Sequence, residues 1–127
     1  MRNIINNQIL FEAETSKRYL DFIQMELTLM KNRLDEIIKE LSSKSMLETI
    51  EHYQSILLEL DEPLFIFRKD ILKQMELIKT NFTDSKFSEN FYIQENLRKE
   101  ILLLEKLFYK IKNEFNSSFS NQLLAHV

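Results

Sequence analysis

Between residues 9 and 41, apolar side chains recur at alternating steps of four and three. Ile9, Ala13, Leu20, Ile23, Leu27, Met30, Leu34, Ile37 and Leu41 keep this spacing, and Ser16 is its one polar member. A repeat of this kind, held this long, is the seam of a helix packed nearly parallel or antiparallel to others. It predicts a first helix over about residues 5–42, roughly 55 Å long at 1.5 Å per residue. Ile50, Tyr53, Leu57, Leu60, Leu64, Phe67, Ile71, Gln74 and Ile78 predict a second helix, over 46–80. Phe87, Phe91, Gln94, Leu97, Ile101, Leu104, Phe108, Ile111 and Phe115 predict a third, over 86–117, with one irregular step near its start. Residues 118–127 are expected to form a fading tail.

Short polar stretches separate the three runs. Ser45 stands three residues before Glu48, a capping-box pattern that places the second helix start at Met46. Residues 81–88 form the other expected connection, with Asn81 suited to the left-handed cap conformation. Three helices of similar length on short loops run up, down and up. The expected fold is therefore all-α, a single domain over 1–127 built as an elongated antiparallel three-helix bundle. The only proline, Pro63, falls inside the second run. It either kinks one helix or begins another, capped by Asp61 or Glu62, which would make a four-helix bundle. The heptad phase is unbroken across it, which favours one kinked helix.

The composition closes off many chemistries. The chain has no Gly, so phosphate-cradling loops and dinucleotide-binding turns, which need its backbone freedom, are not expected. Zero Cys removes thiolate nucleophiles, Cys-based zinc sites and disulfides. The opening residues carry no apolar core of a secretory signal, and no run is long and apolar enough for a membrane span. A cytoplasmic location is the expectation. A net charge of −3 argues against a general nucleic-acid binder. The bases of the third helix (Arg98, Lys99, Lys106, Lys110 and Lys112) interleave with Glu95, Glu100, Glu105 and Glu114, as on a solvated face.

No catalytic or metal constellation emerges. Carboxylate-bridged metal sites in bundles use Glu-x-x-His pairs, and neither His52 nor His126 has a Glu three residues before it. The serines at 42, 43, 45, 117, 118 and 120 lie at helix ends, where they cap backbone groups. No enzyme activity and no cofactor are expected. The stretches FEAETSKRYLDF and LMKNRLDEIIKEL resemble short bacterial proteins built of long helices. That resemblance implies the fold and brings no activity with it.

Off-seam apolar residues carry the functional expectation. Phe22, Met25 and Leu29 form a short ridge on the first helix, and Leu58, Phe65 and Leu72 repeat every seven residues on the second. Leu102 and Tyr109 stand in the same relation on the third. Aligned apolar residues outside a core suggest a contact surface. The reading is a non-enzymatic interaction protein that forms a homodimer or docks a protein partner. Alternatives are a small acidic chaperone or secretion-type adaptor for an apolar helix, and a bundle holding an apolar small molecule near Pro63. Coverage of the ridges by the chain's own Phe119, Leu123 and Leu124 competes with all three. Ser16, Gln74 and Gln94 are expected to form a polar layer near one end.

Overall fold

The computed structural model describes the backbone of residues 2–40, 44–80 and 84–120, and within these the side chains of 7–40, 46–80, 89 and 91–120. Three helices account for nearly all of it: α1 (Arg2–Glu40), α2 (Lys44–Thr80) and α3 (Asp84–Ser118). There is no strand among the described residues, and each helix packs against both others. No described residue takes a positive φ, as suits a chain without glycine.

The heptad seams become the core. Leu20, Leu27, Leu34, Ile50, Leu57, Leu64, Phe108 and Phe115 are sealed from solvent, and most other described seam residues are buried, while Phe67 is half-buried and the side chain of Phe87 lies outside the described residues. The helix ends depart from expectation by a few residues. α2 begins at Lys44, so Ser45 lies inside the helix and is not its cap. Met46, in the first turn, packs against the core. α3 already runs from Asp84, inside the expected connection. Leu41 and Asn81 lie outside the described residues.

Pro63 sits within α2, which is continuous from Lys44 to Thr80. The alternative of a chain break there, with four helices, is thereby corrected. Leu60 and Leu64 are both buried, so the residues around the proline must stay in helical phase to keep the core filled.

Two aromatic positions differ from the sequence pattern. Phe91, which the spacing places in the core, is 51% exposed. The repeat from Gln94 to Phe115 reaches back to position 90, so Phe91 is turned about 100° off the seam. Phe119, which the same pattern leaves in the tail, is fully buried. A backbone bond from Phe119 N–H to the Phe115 carbonyl (3.1 Å) extends the helical path past Ser118. Its ring packs on Tyr53 and Phe115 with centroids 5.5 and 5.0 Å away. Phe119 therefore closes one end of the core and does not cover either ridge; Leu123 and Leu124 lie outside the described residues.

Gln74 and Gln94 are both 1% exposed, buried polar residues in an otherwise apolar interior. A groove of about 310 Å³ is lined by Gln74 together with Ile93 and Leu97, which flank Gln94 along α3. The two amides thus sit at one level. Ser16 is half-buried.

Candidate interaction surface

Cross-helix polar contacts define which flank of each helix meets which neighbour. Lys31 Nζ on α1 lies 2.6 Å from Asp61 Oδ2 on α2, and Arg68 Nη2 on α2 lies 2.8 Å from Asp21 Oδ1 on α1. Asp21 also accepts from Lys17, one turn before it on its own helix (3.1 Å). On the other flank of α1, Glu26 Oε2 pairs with Lys112 Nζ of α3 at 3.2 Å. All these groups are partly solvated, so each pair contributes no more than about 1 kcal/mol. Their value here is positional.

Leu58, Phe65 and Leu72 each stand three or four residues from Asp61 or Arg68, and so lie along the edge of α2 that borders α1. They are exposed, at 65%, 67% and 49%. A groove of about 320 Å³ opens beside Leu58, lined by Lys31, Leu34, Asp35 and Gln54.

The α1 ridge lies elsewhere. Phe22 stands three residues after Tyr19 and four before Glu26, on the flank of α1 that meets α3. Phe22 is half-buried, packed against the core and against the Tyr19 ring with centroids 6.2 Å apart. Met25 and Leu29 remain exposed. The six residues of the two ridges therefore do not form one patch. They rim the two different edges of α1.

Tyr19 is the one described side chain whose ionisation is clearly displaced. Burial, then the neighbouring Tyr109 hydroxyl, then the negative charge of Glu105 raise its pKa above the ordinary tyrosine value. Its oxygen is shut off from solvent and has no well-formed hydrogen bond among the described residues. That arrangement, with the Glu105 carboxylate and the Tyr109 hydroxyl beside it, favours the neutral phenol.

α3 adds apolar surface that the pattern of ridges did not single out. Leu103 and Leu107 are exposed, alongside the expected Leu102 and Tyr109. Leu107 joins Ile56, Leu60, Pro63 and Ile111 around a groove of about 370 Å³ between α2 and α3. The signal for it was present as an apolar residue at the flank position before Phe108, but flank positions look alike until the neighbour is known.

His52 is exposed with its ring against Tyr53, at a centroid distance of 5.4 Å. No group of three or more metal-binding side chains occurs among the described residues. No family model matches the chain, and neither a curated protein nor a solved structure matches it.

Proposed function

We propose that this chain is a cytoplasmic, non-enzymatic interaction protein that works by docking through its exposed apolar helix faces, foremost on itself. The observation that carries this reading is the row Leu58, Phe65 and Leu72, three large apolar side chains exposed at seven-residue spacing along one edge of α2. Water at such a row is displaced favourably by another apolar helix, at about 25 cal/mol per Å² of apolar surface covered. No described helix is long and apolar enough to cross a membrane, so a bilayer-spanning role finds no support in them.

The bundle behind that surface is read as up-down-up, with α2 kinked at Pro63. Support comes from the order of the contacts. Position 31 of α1 pairs with 61 of α2 and position 21 with 68, so the numbering runs in opposite directions. Tyr53 meets Phe115 while Leu60 and Pro63 share a groove with Leu107 and Ile111, which gives the same relation between α2 and α3. Extended by about a turn and a half, the α1–α2 register brings Ser16 near the level of Gln74 and Gln94, as a polar layer would require.

A second reading has one observation in its favour. The groove of about 370 Å³ at Pro63 is lined largely by apolar side chains and would take a small apolar ligand or one edge of a client helix.

Light scattering across a concentration series tests the leading reading. The wild type is expected to rise above its monomer mass of 15.4 kDa, and the double variant Phe65→Glu with Leu72→Glu, both at exposed positions, to stay at it. A wild type that stays monomeric throughout, and whose captured proteins are the same as those of the double variant, would refute it.

A further inference from the structure

We infer that the exposed edge of α2 is a two-fold, antiparallel interface for a second copy of this chain, centred on Phe65. The inference rests on the docking reading above and adds to it the partner, the register and the residues that fix them. The row through Phe65 reads Glu51, Leu58, Phe65, Leu72 and Lys79, each seven residues from the next. It is symmetric about its midpoint in apolar character and antisymmetric in charge. An antiparallel copy therefore sets Phe65 against Phe65, Leu58 against Leu72 and Glu51 against Lys79, twice over. A two-fold interface demands this self-complementarity, because each contact must occur in duplicate.

The flanking rows agree. On one side Glu62 comes within about one residue of the level of Lys69 of the second copy. On the other, Asp61 and Arg68 stand in the same relation, but both are already paired with α1 through Lys31 and Asp21, so the first side carries the argument. Glu51, Glu62, Lys69 and Lys79 are exposed and make no ion pair among the described residues. The groove beside Leu58 lies where Leu72 of the second copy would seat. The corresponding row on α1 lacks this symmetry. It reads Phe11, Arg18, Met25, Asn32 and Lys39, so an antiparallel copy centred on Met25 would set Phe11 against Lys39 and Arg18 against Asn32. Neither pair matches apolar with apolar or charge with opposite charge.

The size of the face sets the strength. From Glu51 to Lys79 it runs about 42 Å, and at a helix width of about 10 Å it offers roughly 400 Å² per protomer. Standard stable complexes bury about 800 Å² per partner, so this association is weak and reversible.

Sedimentation velocity from about 5 µM to 1 mM measures it, with circular dichroism to check that each variant is folded. Phe65→Glu is expected to weaken association at least ~10-fold, because it buries a charge at the centre. Glu51→Lys alone is expected to weaken it about 5-fold, and Glu51→Lys with Lys79→Glu to restore it. The cysteine-free chain allows a second readout. Leu58→Cys protein mixed with Leu72→Cys protein is expected to give disulfide-linked dimers on mild oxidation. Either variant alone should not, since its two sulfur-bearing positions lie about 21 Å apart along the pair. Self-association that ignores the charge exchange, or equal cross-linking of each variant with itself, would overturn this interface and leave docking through another face standing. A monomer at every concentration would overturn the interface and remove self-association from the functional reading as well.

Discussion

The hydroxyls of Tyr53 on α2 and Ser118 on α3 lie 2.9 Å apart. Tyr53 is at the same time edge-on to Phe115, with ring planes at 87°, and in contact with Phe119. One residue thus ties the first half of α2 to the end of α3 by a hydrogen bond and two aromatic contacts. At this end of the bundle an aromatic cluster of Tyr53, Phe115 and Phe119 joins the heptad seam.

Phe119→Ala should accordingly cost about 3–5 kcal/mol, the usual loss for a fully buried Phe. Tyr53→Phe, which removes only the hydroxyl, should cost about 0.5–1.5 kcal/mol. Urea denaturation of the two variants checks the order. Equal effects would mean that the hydroxyl pair, not the ring packing, dominates.

Gln94 presents the opposite case. Both its amide atoms are buried without a partner among the described residues. Gln94→Leu keeps much of the volume and removes the unmet polar atoms, so it should stabilise the bundle by about 1–3 kcal/mol. A shift of the urea midpoint to higher concentration, with the slope unchanged, is the expected result. Loss of a single conformer in NMR spectra would show instead that the amide fixes the register.

Pro63 has no N–H to give to the carbonyl four residues earlier, and its ring crowds that carbonyl. Pro63→Ala should therefore raise both helicity and stability, by up to about 3 kcal/mol. Thermal melting followed by circular dichroism measures it. A stability unchanged within error would mean that the proline ring makes contacts of equal worth.

Tyr19 makes stability depend on pH at the alkaline end. Its folded-state pKa is raised, chiefly by burial, so above pH 10 the unfolded chain loses the phenol proton more readily than the folded one. Stability is independent of this group below pH 10 and falls as pH rises from there toward the folded value. Denaturation at pH 8 and pH 11 should show a smaller drop for Tyr19→Phe than for the wild type, with lysine titration common to both. An identical drop would refute the assignment.

The heptad positions of Leu20, Ile50, Leu57 and Phe108 could be read from the sequence because every turn repeats the same demand. A helix buried along one stripe must carry apolar residues at that period, and the period survives in one dimension. Phe91 and Phe119 could not be read in this way. Both stand one residue out of phase, yet Phe91 faces solvent while Phe119 is buried. Phe119 is buried because Tyr53 of another helix packs against its ring, which no spacing along α3 reveals. The off-seam residues show the same limit. Phe22 and Phe65 look equivalent in the sequence, but the first lies beside Tyr19 and α3 and the second stands out from the edge of α2.

Helix number, helix length and the identity of most core residues follow from periodicity and the absence of glycine, which are properties of the chain taken locally. The pairing of Lys31 with Asp61, the burial of Phe119 and the separation of the two apolar ridges depend on which flank of each helix turns toward which neighbour. A heptad leaves that choice open, because the flanks on either side of a seam are chemically similar. The choice is made only when three helices pack together and each flank either gains a neighbour or keeps its water.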